Sequence, residues 1–234
     1  MLAGVTLLLD LITMRKKVTR KGSDSLEQSA LSAMARLHSG LVMKRRARAL
    51  SSHIASMLPK SSRVLDIGAG NGKLARAIMG LRPDVRIDGV DTMLWPERLI
   101  DVREFDGTKI PHGDGAYDAC LLSDVLHHAK APITLLCEAV RVARMGIVIK
   151  DHVAESRWDI AALRFMDWFG NRGHGVTLVY DYWDWQTWNN AFNQTGLKID
   201  RMERKLGLYP FPVSLLFDRK LHFVAYLEIR GSRA

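Results

Sequence analysis

Only two cysteines, Cys120 and Cys137, occur in 234 residues. A chain so poor in cysteine has no disulfide scaffold, and no Cys-x-x-Cys pair is present to hold zinc. Both cysteines sit in apolar runs and read as buried thiols of a reducing compartment. Long apolar runs are missing too. The longest extends from Leu2 to Met14 and is broken by Asp10, well short of the ~20 residues that span a bilayer. Its basic residues follow the apolar stretch instead of preceding it, which makes it a poor secretory leader. A cytoplasmic protein is expected. No repeat or low-complexity tract appears, and 25% charged residues with 47% hydrophobic ones exclude disorder and fibrous classes.

Basic charge is abundant but confined. The formal net charge is +9. Residues 1–50 hold ten Lys and Arg against Asp10, Asp24 and Glu27, whereas the remaining body is nearly balanced. A nucleic-acid binder carries its basic stripe on the folded body, so no nucleic-acid substrate is expected. The apolar segment and the basic cluster Arg15, Lys16, Lys17, Arg20 and Lys21 have two readings. One is a helical cap packed on the domain or on a second copy in a homodimer. The other is a peripheral contact with the inner face of an anionic membrane.

From Arg63 onward, strand and helix patterns alternate. Strands are expected at Val64–Ile67, Val85–Val90, Leu99–Arg103, Tyr117–Leu122 and Gly146–Ile149, with Leu197–Met202 and Leu221–Ile229 at the end. Helices are expected over Lys73–Met79, over Ile133–Ala143 behind Pro132, and from an Asp184 cap to Asn193. Alternation of this kind gives a parallel doubly wound α/β sheet. The last two strands have no long helix between them and suit an antiparallel pair. The division is residues 1–58 as a helical extension and 59–234 as the main domain, with an aromatic-rich insertion at 155–192.

The chemistry concentrates at the carboxyl ends of the strands. Val64-Leu65-Asp66-Ile67-Gly68-Ala69-Gly70-Asn71-Gly72 joins the first strand to the first helix by a turn that lets backbone approach a ligand closely. A dinucleotide fingerprint needs its third glycine three residues after the second; Lys73 stands there, and Gly72 comes one residue early. Asp91-Thr92 ends the second strand. Phe105-Asp106-Gly107 follows the third. The fourth runs into Ser123-Asp124-Val125-Leu126-His127-His128, and the fifth into Lys150-Asp151-His152. Another histidine, His174, lies in the Gly-rich stretch 170–175. Together with Asp124 and Asp151 the histidines could bind a metal, but no helix-borne pair has ligand spacing, so none is expected.

In their order, these segments resemble motifs I to V of the class I S-adenosylmethionine-dependent methyltransferases. The resemblance covers residues 60–150 well and 185–230 as generic fold. It implies a Rossmann-like, seven-stranded, mostly parallel sheet with an antiparallel last strand. S-adenosyl-L-methionine is the implied cofactor and S-adenosyl-L-homocysteine the product. Asp66, Gly68, Ala69 and Gly70 would cradle that cofactor. Asp91 and Thr92 would meet its ribose, Asp106 and Gly107 its adenine, and Ser123 and Asp124 its methionine end. His127, His128 and His152 are the candidate bases. The acceptor is expected to be a small, apolar or lipid-like molecule, walled by aromatics such as Tyr180, Tyr182 and Trp183. The alternative is a non-catalytic member of the fold that binds the cofactor or a partner protein.

Overall fold

A computed structural model describes residues 44–170, 182–209, 214 and 221–231, with backbone alone at 167–170. The chain divides after Val42 into two compact units, and all described residues belong to the second. The apolar and basic N-terminal segments, His174 and Tyr180 lie outside the described residues.

Helix α1 occupies 44–57. Then come β1 (Arg63–Ile67), α2 (Lys73–Leu81), β2 (Arg86–Asp91), β3 (Val102–Glu104) and β4 (Tyr117–Ser123). A 3-10 turn at Leu126–His128 leads to α3 (Pro132–Val142), β5 (Ala143–His152) and α4 (Arg157–Gly170). The domain closes with α5 (Trp185–Gln194), β6 (Leu197–Glu203) and β7 (His222–Ile229). The seven strands form one sheet in the order β3-β2-β1-β4-β5-β7-β6. Strands β1 to β5 pair in parallel, and β7 runs antiparallel to both β5 and β6. The expected fold class is the one found. The order reverses between β1 and β4, and a crevice opens beyond the carboxyl ends of strands at such a switch point.

The central strands are apolar on both faces because helices cover both. Leu65, Ile67, Cys120, Leu122, Ile149 and Phe223 pack with α3 and α5. Val64, Leu121, Val148 and Val224 pack with α2 and with Leu50, Ile54 and Leu58. Residues 44–58, grouped with the extension on sequence grounds, thus help bury the sheet. The carbonyls at the end of α1 need donors. The Arg82 guanidinium donates to the carbonyls of Ala55, Leu58 and Pro59, and Arg201 to those of Ser56 and Met57.

Three local expectations are corrected. Strand β3 begins at Val102, because Ile100 is drawn under the Gly-rich turn against Gly72 and Gly89. Strand β5 extends to His152, well past Ile149, because β7 pairs with it as far as His152 opposite His222. Cys120 is buried as expected, but Cys137 lies on the outward side of α3 and is exposed. The Asp184 cap is present: its carboxylate accepts from the Thr187 N–H at 2.7 Å.

Candidate functional site

The Gly-rich turn is stitched to the end of β2. The N–H groups of Gly68 and Ala69 donate to the Val90 carbonyl at 2.8 and 3.1 Å. The Gly70 N–H donates to Asp91 Oδ2 at 2.7 Å, and the Met93 N–H to Asp91 Oδ1 at 3.1 Å. The three glycines of the turn have φ of 76°, 56° and 75°, backbone that side chains resist. Their surroundings differ. A β-carbon on Gly68 would stand 2.6 Å from Val125, and one on Gly72 2.6 Å from Ile100. One on Gly70 would meet nothing within 4 Å. The turn is therefore packed at both ends and open at its tip.

Asp66, in β1 just before this turn, is buried. Burial, and then the charge of Asp91, push its carboxyl up to about 8. Gly107 approaches Thr92, whose Cγ2 would lie 3.1 Å from a β-carbon there. Asp106 Oδ1 accepts from the N–H groups of Lys109 and Thr108 and from the Thr108 hydroxyl. These bonds hold the carboxyl below its ordinary range. The structure thus brings Asp66, Gly68, Ala69, Gly70 and Asp91 together around one turn, with Thr92 beyond the end of β2 and Asp106 and Gly107 beyond the end of β3.

The second half of the site lies at the ends of β4 and β5. His127 Nδ1 is 2.6 Å from Asp151 Oδ1, and both side chains are buried. The backbone N–H of His152 donates to the same oxygen at 2.8 Å. His152 Nδ1 stands 3.3 Å from it and 3.6 Å from Asp124 Oδ1. The rings of His127 and His128 are 4.0 Å apart between centroids, and those of His127 and His152 4.7 Å. Tyr182 lies 5.9 Å from both His127 and His152. Trp188 secures this strand end by donating from Nε1 to the His152 carbonyl at 2.9 Å.

Asp124 has φ 58°, an unusual backbone for an aspartate. Its Oδ1 accepts from Lys150 Nζ, and Arg46 of α1 lies 3.8 Å from Oδ2. Burial opposes ionisation of Asp124 and Asp151. Lys150, His152 and Arg46 outweigh it at Asp124, as His127 and His152 do at Asp151, and both carboxyls titrate far below their ordinary range. Burial lowers Lys150 and His152.

All three expected histidines are gathered here, with Asp124. Val125 links the two halves by abutting Gly68, and Ser123 stands half-buried at the end of β4. Asp151 is weighed in the sequence only as a metal ligand, and Lys150, Arg46 and His222 are not singled out as site residues. The signal for Asp151 and Lys150 was the charged tripeptide ending an apolar strand. His222 becomes relevant only through its register opposite His152, which no local pattern announces.

Residues 42–201 match a family described as a methyltransferase domain. Over 97 residues the chain is 34% identical to the tRNA (carboxymethyluridine(34)-5-O)-methyltransferase alkbh8 of Xenopus tropicalis, covering 38% of this chain and 15% of that protein. An uncharacterized methyltransferase of Mycolicibacterium vanbaalenii is 31% identical over 125 residues, covering 50% of this chain and 44% of the relative. The chain thus spans less than half the length of these relatives. Among solved structures, one similar chain comes from a complex between the Haloferax volcanii Trm112 methyltransferase activator and a methyltransferase. It has a TM-score of 0.61 and 16% identity, over 80% of this chain and 91% of that one. An S-adenosylmethionine-dependent methyltransferase from Thermotoga maritima has a TM-score of 0.58 and 16% identity, over 85% and 96%. The shared feature at such identities is the Rossmann-like fold of class I methyltransferases.

Proposed function

The chain belongs to the methyltransferase-domain family, and on that premise we propose that it methylates a small, apolar or lipid-like acceptor with S-adenosylmethionine as donor. The observation that carries this reading is an open Gly-rich turn after β1 and a buried His–Asp dyad after β4 and at the end of β5, both at the carboxyl edge of the sheet. At Gly70 the tip of the turn has room for a ligand, and Asp91 is held there with both oxygens oriented. A carboxylate so placed suits a pair of vicinal hydroxyls. Asp66, Gly68 and Ala69 line the cradle. Thr92, Asp106 and Gly107 take the adenosyl side, and Ser123 and Asp124 the amino-acid side. When bound, the cofactor supplies a methyl group on a cationic sulfur, already a good leaving group.

The chain's own residues then have two tasks. One is to align the acceptor and exclude water. The other is to take a proton from it. With Asp151 ionised, the His127 proton resides on Nδ1, and Nε2 carries the lone pair that acts as base. His128 and His152 flank this imidazole. Tyr182 and Trp183 supply an aromatic wall.

The experiment is transfer of a labelled methyl group to organic-extractable small molecules by the purified chain. Transfer by the wild type but not by His127→Ala supports the reading. Cofactor binding without transfer to any fraction favours the non-catalytic alternative. The basic N-terminal segment is proposed to aid peripheral contact with an anionic membrane, and a homodimer is the competing use for it. Among the described residues no helix is long and apolar enough to cross a membrane.

A further inference from the structure

We propose that Asp124, His127, Asp151 and His152 also form a binding site for a Zn²⁺-class ion, and that the ion and the catalytic dyad exclude each other. The exclusion rests on the function proposed above; the site itself rests on geometry. One ligand atom from each of the four residues lies within 4.8 Å of the others. The individual separations of 2.6, 3.3 and 3.6 Å bracket the ~3.3–3.5 Å expected between ligands of a tetrahedral ion with bonds of about 2.0–2.2 Å. Small side-chain shifts would close the set.

A second observation points the same way. Asp151 Oδ2 is shut off from solvent and, among the described residues, has no hydrogen-bond partner; His152 Nδ1 is likewise shut off and lies 3.3 and 3.6 Å from carboxylate oxygens without hydrogen-bond geometry. Such buried groups are costly unless something meets them. One is an acceptor and the other offers a lone pair when its proton sits on Nε2, so a cation held by both oxygens of Asp151 and by His152 Nδ1 satisfies both at once. Two imidazoles with two carboxylates select a borderline transition ion over Mg²⁺, which prefers an all-oxygen octahedron. The sequence offers these residues as possible ligands but argues against a metal, because ligand spacing on one helix is missing; the fold supplies the set from two separate segments, after β4 and at the end of β5.

Two charges work against the ion. Lys150 Nζ already bonds Asp124 Oδ1, and Arg46 lies close to Oδ2. They limit its affinity, which fits a regulatory occupant better than a permanent one. An ion on Asp151 withdraws the carboxylate that orients His127. If it takes His127 Nδ1, the proton moves to Nε2 and the base is lost.

The test is a calorimetric Zn²⁺ titration of the untagged full chain carrying Cys137→Ser, which removes the exposed thiol. Co²⁺ absorption serves as a second readout. The expected result is one equivalent bound, weakened at least ~10-fold by Asp151→Asn and by His152→Ala and tightened by Lys150→Met. The Co²⁺ form should show the intense visible band of a four-coordinate site. Absent stoichiometric binding, or affinity indifferent to Asp151 and His152 in folded variants, overturns the site. Neither readout needs turnover, so failure of the methyl-transfer reading is seen separately. If both hold, Zn²⁺ should inhibit methyl transfer and a chelator restore it; full activity of the Zn²⁺-loaded chain overturns the exclusion.

Discussion

His127, in the 3-10 turn after β4, and Asp151, near the end of β5, meet at 2.6 Å with both side chains buried. An ionised aspartate there fixes which nitrogen of the imidazole carries the proton, an arrangement suited to a general base. His127→Ala should lower kcat by roughly 10²–10⁴ while cofactor affinity stays near wild type. Asp151→Asn should also lower kcat, through the wrong tautomer. Steady-state kinetics with parallel cofactor titrations check both. Near-full kcat in both variants would remove the dyad from catalysis.

Asp66 makes a pH-dependent contribution to stability. Its carboxyl moves from an ordinary 3.8 to about 8 on folding, first through burial and then through Asp91. Between those values the folded chain holds a proton that the unfolded chain has lost. Stability therefore falls as pH rises through this window, by at most ~1.4 kcal/mol per pH unit. Asp66→Asn has no such proton and should show a flatter Tm profile from acid to mildly basic pH. Parallel profiles would mean that Asp66 is ionised in the fold.

The glycines of the turn should separate by their surroundings. Gly70→Ala adds a methyl group to open space, and its cost to the fold is chiefly left-handed backbone, roughly 1–2 kcal/mol. Gly68→Ala bears that strain and also drives a β-carbon to 2.6 Å from Val125, adding about 1–3 kcal/mol of overpacking. Thermal unfolding should rank Gly68→Ala well below Gly70→Ala. Equal losses would contradict the packing described.

Trp188 couples the α5 core to the site. Its indole is buried against Phe223, 5.1 Å between ring centroids, and bonds the His152 carbonyl. Trp188→Phe keeps most of the apolar volume and strands that carbonyl, at about 1–3 kcal/mol. Denaturant unfolding measures the loss, and a variant as stable as wild type would show that the bond is dispensable.

Much of the fold was legible because hydrophobic runs bounded by turns repeat with βαβ spacing. Asp66, the Gly-rich turn and Asp91 were legible because each stands at a strand end where an apolar pattern stops. What stayed hidden was long-range. Strand β5 continues through Lys150-Asp151-His152 because β7 pairs with it, and local polarity argued for a loop. Ile100 reads as strand from its own character, yet the bare backbone of Gly72 and Gly89 draws it aside. Arg46 reaches Asp124 only through the packing of α1.

The most direct measurement is calorimetric titration of S-adenosylmethionine into the full chain and into Asp91→Ala and Gly70→Val. Stoichiometric binding by the wild type is predicted, weakened by roughly 1.5–3 kcal/mol in Asp91→Ala and abolished in a folded Gly70→Val. Unchanged affinity in both folded variants, or no binding to the wild type, would contradict the assignment of this turn as the cofactor cradle.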